Sequence, residues 1–362
     1  MHKTLVGVSL FAGGGITETY FDEIGIKIAV ANELLTKRAD FYKFTHPDTE
    51  MICGDITEQK VFDLVISKAK SNGAKFLLAT PPCQGMSTLG KREYTTDKRN
   101  SLVHYVLKAI DTLLPEFVLI ENVPMFADLL FNIDGTTYTG ESEFDKPFKI
   151  FDLLNILYSE KYCIEMKLLN AMHYGVPQSR PRLIIKMFKK DKTWPWPSEE
   201  NRIITLRQAI GDLPSLESGE KSDIQWHYAL QHNERQVLAL KHTPEGKSAM
   251  KNTVHFPKKS DGSKVKGFHN TYNRMRWDEP APARTTNNHL ISGHNNVHPG
   301  RLLPDGTWSD ARVLTFRELL IVSSLPLTWN IPSDFKESEV REMIGEAIPP
   351  LLSKKIAERI GK

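Results

Sequence analysis

The chain has 362 residues, 40% of them hydrophobic and 25% charged, the balance of an ordinary globular protein and not of a disordered or fibrous one. Its 22 glycines and 21 prolines exclude collagen-like or linker-dominated sequence, and Cys53, Cys83 and Cys163 show no paired spacing for a disulfide framework or a zinc site. The net charge of +3 is small, and no apolar run reaches the ~18 residues that a membrane helix needs. Met1-His2-Lys3 before an apolar stretch has the outline of a short signal peptide. The same residues read better as a first buried strand entering a glycine turn, so a cytoplasmic, reducing compartment is the expectation.

Taken in chain order, Thr4–Phe11, Ile26–Ala31, Lys75–Thr80 and Phe117–Ile120 are apolar or β-branched runs bounded by turn residues, and they predict buried strands. A further candidate strand precedes Gly54. Ile16–Ile24, Leu102–Leu114 and Phe148–Ser159 carry apolar residues at helical spacing, and two more strands are predicted at Cys163–Leu169 and Leu183–Phe188. Alternation of this kind predicts an α/β fold, a doubly wound and mostly parallel sheet with helices on both faces. Phe131–Asp145, with Asp134-Gly135 and Thr139-Gly140, interrupts the series as an extended loop or hairpin.

The alternation stops at Trp194-Pro195-Trp196-Pro197. From there to about Gly306 the chain is polar and weakly periodic, which predicts a smaller, irregular inserted domain. Helical patterning returns at Thr315–Ser323 and Ile344–Ile360, the last helix packing back onto the first half. Between Arg235 and Arg276 lie Arg235, Lys241, Lys247, Lys251, Lys258, Lys259, Lys264, Lys266, Arg274 and Arg276, opposed only by Glu245 and Asp261. In a nearly neutral chain this is either a polyanion footprint or a solvated loop region.

Phe11-Ala12-Gly13-Gly14-Gly15 ends the first strand and is expected to open a helix whose N-terminus holds an anionic group. Glu18 stands where a dinucleotide fingerprint has its third glycine, so a pyrophosphate is poorly served. Glu33, about twenty residues on, is placed to accept hydrogen bonds from ribose hydroxyls. Asp55, in Gly54-Asp55-Ile56, could reach an adenine amino group. Together these suggest a nucleoside cofactor without pyrophosphate, and S-adenosylmethionine fits.

Thr80-Pro81-Pro82-Cys83-Gln84-Gly85-Met86-Ser87 follows the fourth strand, at the edge where such sheets bind ligands. The prolines stiffen a loop that presents Cys83, either as a nucleophile or as a small buried hydrophobe. Glu121-Asn122-Val123 ends the neighbouring strand, and Glu121 there suits general acid work or merely caps the strand. Arg180 and Arg182, two apart in an extended Gln178-Ser179-Arg180-Pro181-Arg182, fall on one face, able to orient Glu121 or hold a phosphate.

In order, these segments resemble the C5-cytosine DNA methyltransferases. The resemblance covers nearly the whole chain and is completed by Arg312-Val-Leu-Thr315-Phe-Arg-Glu318 and Gly345-Glu346-Ala347-Ile348-Pro349-Pro350. It implies a methyltransferase domain at 1–192 and 311–362 and a target-recognition domain at 193–310. It implies Cys83, Glu121, Arg180 and Arg182 in catalysis. It implies a pocket for S-adenosylmethionine, released as S-adenosylhomocysteine, lined by Phe11, Ala12, Gly13, Gly14, Gly15, Glu33, Leu34, Asp55, Ile56, Pro82, Leu102, Glu346 and Ala347. Gln84, Ser87, Arg99, Arg274, Arg276, Arg284, Thr285 and Thr286 become candidate DNA contacts, and the segment from Gln84 to Leu102 matches the family's closing catalytic loop. The expected partner is double-stranded DNA, with a restriction endonuclease sharing the site as a further partner of some such enzymes. No membrane partner is expected, nor a metal, since His289, His294 and His298 match no zinc spacing. The expected state is a monomer acting in a prokaryotic cytoplasm, at the nucleoid when on DNA. The departures are Ser9 where an acidic residue is frequent, Ile16 for a common glycine, and Glu346 in a place usually held by Asn.

Overall fold

The computed structural model describes residues 4–82, 102–131, 147–268 and 270–362. Two compact units emerge. One comprises residues 1–170, 181–198 and 353–362, the other residues 171–180 and 199–352. The division falls elsewhere than at the expected 192 and 311: both 171–180 and 311–352 sit in the second unit, held there by the buried arginines described below.

The first unit is built on seven strands, β1 Leu5–Leu10, β2 Ile26–Glu33, β3 Glu50–Cys53, β4 Phe76–Ala79, β5 Phe117–Asn122, β6 Tyr162–Asn170 and β7 Pro181–Lys189, in spatial order 3-2-1-4-5-7-6. β1 to β5 pair in parallel, whereas β7 runs antiparallel to both β5 and β6. Its helices are α1 Thr36–Thr45, α2 Gln59–Ser71, α3 Leu102–Leu113 and α4 Ile150–Tyr158. α2 buries Phe62, Val65, Ile66 and Ala69, and α3 buries Val103, Val106, Leu107 and Ile110, each set at i, i+3, i+4, i+7. They share one core with Val8, Leu10, Leu77, Ala79, Val118 and Ile120 of the sheet. Trp194 meets the ring edges of Phe76, Phe117 and Phe188, and its indole N–H donates to Ile356 O at 2.9 Å. The terminal segment from Ser353 is thereby fastened to the first unit.

Two helix expectations are corrected. Residues 16–24 form successive turns closed by a 3-10 helix at Asp22–Ile24. Their amides reach three residues back, Gly15 to Ala12, Thr19 to Ile16, Phe21 to Glu18, and Gly13 and Gly15 have φ of +55° and +75°, outside helical space. Ile344–Ile360 is not one helix: a helix ends at Glu346, Ala347 is extended, and a new one starts at Pro350, whose ring admits only a first turn. Leu130–Phe131 pairs antiparallel with Phe148–Lys149, and the expected loop at 132–145 lies outside the described residues.

The second unit has α5 Leu206–Ile210, α6 Glu234–Lys241, α7 Phe316–Val322 and α8 Glu337–Glu346. The helix that begins at Pro350, α9 Pro350–Ala357, carries the chain back to the first unit. Among the described residues the second unit's only strand pair is Gln178–Ser179 beside Ala281–Pro282. Beside an apolar cluster that includes Leu240, Tyr272, Val297 and Val313, this unit buries a set of ion pairs. Arg312, fully buried, grips both oxygens of Glu318 at 2.7 and 3.0 Å, reaches Asp310 Oδ1 at 2.8 Å, and donates to Leu216 O. Thr315 and Glu318 cap α7 reciprocally. His298 lies against Trp277 and accepts from Gly300 N, so its ring is neutral; burial first, then Arg312, lowers its pKa to about 4. Burial raises the Glu318 pKa but is outweighed, chiefly by Arg312, leaving it at about 2.

Both groups have depressed pKa values in the fold. The contribution of His298 is present above about pH 6.5 and is lost as pH falls toward 4; that of Glu318 is present above about 4.5 and lost toward 2. The urea midpoint should therefore fall steadily between pH 6.5 and 4, and a His298→Gln chain should show a flatter profile; a wild-type midpoint constant over that range would refute the neutral, buried assignment.

Candidate active site

The chemistry-bearing residues of the first unit gather where parallel strands end. β1 leads to Phe11–Gly15, β2 ends at Glu33, β3 leads to Gly54–Ile56, β4 to Thr80–Pro82, and β5 ends in Glu121-Asn122. β7 is antiparallel, so its start, carrying Arg182, shares that edge.

Beyond the last ladder bonds the backbone is held by side chains. Asn32 donates to Ile52 O at 2.9 Å and Gly54 O at 3.1 Å, joining β2 to the exit of β3. Thr80 Oγ1 donates to Phe11 O at 2.9 Å, and Asn122 Nδ2 to Pro81 O at 2.9 Å. Glu33 accepts from Gly13 N and Leu35 N, both at 2.9 Å, one through each carboxylate oxygen. An ionised carboxylate has about four lone-pair sites, so acceptor capacity remains for a ligand hydroxyl.

A Cβ on Gly13 would meet nothing within 4 Å, which leaves its surface open, whereas one on Gly15 would strike the His46 ring at 2.4 Å. His46 Nε2 stands 2.8 Å from Gly15 O, which puts the ring proton on that nitrogen. Glu18 lies buried beneath this loop beside Ser9 and Tyr42; burial raises its carboxyl pKa, with His46 opposing. The loop does not open a helix, so the expected anion site at a helix N-terminus has no helix to rest on.

Arg182 Nε pairs with Glu121 Oε1 at 2.8 Å, and both side chains are about 11% exposed. Register explains the meeting: Ile184 lies opposite Glu121, so Arg182 is its diagonal neighbour on the same face. Burial pulls the Arg182 pKa down, and Glu121 pushes it back up. Arg180 does not join them. It turns into the second unit, donating to the carbonyls of Arg284, Gly345 and Glu346 at 2.6 to 2.9 Å, because it sits in the break between Ser179 and Pro181 and not within β7.

The remaining residues divide clearly. Ile56 is buried, Asp55 accepts from Thr57 N through one oxygen, Leu34 is 58% exposed, and Pro82 and Leu102 are half-buried. Glu346 and Ala347 belong to the second unit. Cys83, Gln84, Ser87 and Arg99 lie outside the described residues. Two DNA candidates are corrected. Arg274 is fully buried and donates to the carbonyls of His298, Asp310 and Leu240, and Arg284 is 2% exposed and donates to Pro282 and Asn295 carbonyls. Burial lowers both guanidinium pKa values to about 10. Arg276 is half-exposed near Glu279, and Thr285 and Thr286 are half-buried. Among the described residues no group of three or more His, Cys, Asp or Glu is arranged to hold a metal ion. Asn32, Thr80 and Asn122 were missed in the sequence; an Asn at a strand's end, where Asn is depleted, was the available signal.

A seven-stranded sheet of this order, with a glycine turn, an acidic residue closing β2, a Pro-Pro loop and a carboxylate–guanidinium pair at one edge, is the α/β fold of a methyltransferase. The chain matches the C-5 cytosine-specific DNA methylases over residues 5–362 and belongs to that family. It is 46% identical to the Type II methyltransferase M1.HgaI of Avibacterium volantium, over 99% of both chains. Identity to M.DdeI of Desulfomicrobium norvegicum is 28%, over 98% of this chain and 88% of that one. The methyltransferase EhMeth of Entamoeba histolytica shares the fold, with a TM-score of 0.64, 12% identity, and 99% and 98% of the two chains covered. The chain is thus an enzyme, a DNA (cytosine-5-)-methyltransferase.

Asn122→Ala removes a side chain bonded to the Pro81 carbonyl and should cost about 1–3 kcal/mol of stability. It should also slow methylation, because the Pro-Pro entry to Cys83 loses its anchor. A denaturant midpoint and initial rate both equal to wild type would remove Asn122 from this role.

Proposed function

We propose that the enzyme methylates C5 of a cytosine within a specific short sequence of double-stranded DNA, with the base rotated out of the duplex and Cys83 bonded transiently to C6. The observation that supports this most is the Arg182–Glu121 pair at the sheet edge, beside a Pro81 carbonyl fixed by Asn122. A cytosine paired within the stack cannot present C6 to a thiolate and its N3 edge to a carboxyl group, so the base must leave the helix.

The cofactor edge fits S-adenosylmethionine. Gly13 is open, Glu33 keeps acceptor capacity for ribose hydroxyls, Asp55 has a second oxygen for an amino group, and exposed Leu34 offers an apolar face to a base. Phe11, Ala12, Gly14, Gly15, Ile56, Pro82 and Leu102 would complete the lining within the first unit. When bound, the cofactor supplies the methyl group on its sulfonium.

The chain's residues then have these tasks. The Cys83 thiolate adds to C6, and the displaced ring electrons make C5 nucleophilic. Glu121 hydrogen-bonds N3 and the exocyclic amine, limiting charge on the ring as the adduct forms. Arg182 fixes the Glu121 carboxyl by its 2.8 Å contact and so aims it. Once C5 carries the methyl group, solvent water takes the C5 proton, its bonding pair forms the C5–C6 double bond, and the C6–S bond breaks to release the Cys83 thiolate. Arg180 acts at a distance, tying the Arg284, Gly345 and Glu346 backbone together. Residues 193–310 supply DNA recognition, with Arg276, Thr285 and Thr286 as contacts, and Gln84, Ser87 and Arg99 act from the Cys83 segment. A restriction endonuclease cutting the same sequence is the partner whose action this methylation would block.

The test is DNA carrying 5-fluorocytosine, incubated with S-adenosylmethionine and either wild type or Cys83→Ser. Fluorine cannot leave as the proton does, so a covalent protein–DNA species should accumulate with wild type alone. An adduct with Cys83→Ser, or methylation retained by it, would remove Cys83 as nucleophile. Glu121→Gln should lower the methylation rate by roughly 10²-fold or more, and an unchanged rate would take Glu121 out of the chemistry.

A further inference from the structure

Of the ten basic residues between 235 and 276, the structure engages four in the protein itself. Arg274 is buried, Lys241 lies 3.7 Å from Glu217, Arg276 lies 3.6 Å from Glu279, and Arg235 donates to Lys259 O at 3.1 Å. The others are exposed lysines, and four of them, Lys258, Lys259, Lys264 and Lys266, occupy one small ribbon.

Val265 N bonds Pro257 O at 3.0 Å, Lys259 N bonds Ser263 O at 2.8 Å, and Gly262, with φ +81°, closes the turn at the tip. In this ribbon Lys258 and Lys264 are direct antiparallel partners. Both ammonium groups also lean on the same ring, at 5.0 and 5.2 Å from the centre of Phe256. Like charges directly opposite across a strand pair are destabilising, and here one ring draws the two together. The ribbon's own acid, Asp261, forms no ion pair with either lysine; its Oδ1 accepts from Ser263 N and Oγ in the turn. None of the four lysines forms an ion pair among the described residues.

We infer that the ribbon Pro257–Val265, with Lys266, is a phosphate clamp: it grips the DNA backbone through Lys258, Lys259, Lys264 and Lys266 and reads no bases. This rests on the reading of the chain as a duplex-DNA methyltransferase. Ammonium groups are point charges suited to phosphate oxygens, and the tip offers only Ser260, Gly262, Ser263 and the exposed Asp261, not a planar amide or guanidinium that pairs with a base edge. The like-charge pair is strained in the free protein and relaxes against a polyanion.

The test measures binding of the full chain to a mixed-sequence DNA duplex, and to a duplex carrying the site that wild type methylates, across a salt series. Each phosphate contact contributes about 0.9 to the slope of log K against log salt. Changing the four lysines to Gln should make the slope shallower by roughly 3 to 4 and weaken both duplexes by the same factor, leaving their affinity ratio unchanged. An unchanged slope overturns the clamp, and so does a fall in the affinity ratio, which would make the ribbon a base reader. Lys258→Gln alone should keep or raise Tm, since it removes one of two opposed charges; a lowered Tm would assign the lysines to folding. An RNA duplex is included, and tighter lysine-dependent binding to it than to DNA would also overturn the assignment. If wild type binds duplex DNA through these lysines yet methylates no cytosine in it, the proposed reaction fails and the clamp stands.

Discussion

A parallel sheet runs out of partners at the ends of its strands, and the first unit depends on how that shortage is met. Where β1 to β5 stop, carbonyls and amides that would otherwise need water are taken by Asn32, Thr80, Asn122 and Glu33. These bonds fix the position of every loop that leaves the edge. The glycine turn is held from beneath by Thr80 and from the side by Glu33, and the Pro-Pro loop is held by Asn122. A site assembled from five separate chain segments acquires one geometry because the sheet's own deficit is satisfied by side chains of neighbouring strands.

The second unit solves a different problem. It has almost no ladder to organise it, and its polar loops must still bury a centre. Arg274, Arg284 and Arg312 act there as multi-armed donors, each collecting carbonyls from several segments. A planar guanidinium with five N–H groups serves this better than any apolar side chain could in a region rich in unpaired backbone. Glu318 and Asp310 then balance the charge, and His298 stays neutral between them.

How much was legible follows from these two solutions. The strands of the first unit showed as short β-branched runs, and Glu121 and Arg182 could be picked out because a carboxylate and a guanidinium at strand ends are seldom idle. The turns at 16–24 were mistaken for a helix because Ile16, Phe21 and Ile24 fit a helical face as well as they fit successive turns, and only the left-handed glycines separate the two. Arg274 and Arg284 were misplaced for a deeper reason. Charge in a sequence argues for exposure, and burial becomes favourable only when several carbonyls converge from distant residues, which no local pattern records. The lysines of the Pro257–Val265 ribbon, alike in sequence to those arginines, ended on the surface.

The chain crosses between the two units four times, after residues 170, 180, 198 and 352. If the proposed recognition region were exchanged with that of a relative, cuts at 193 and 310 would not be clean. The inner piece would carry Arg274 and His298, while Arg312 and Glu318 stayed behind with the recipient, and Asp310 would sit on the junction itself. A transplanted segment would have to match the half of the ionic lock left behind, so this buried network would act as a compatibility code between the exchanged piece and its scaffold.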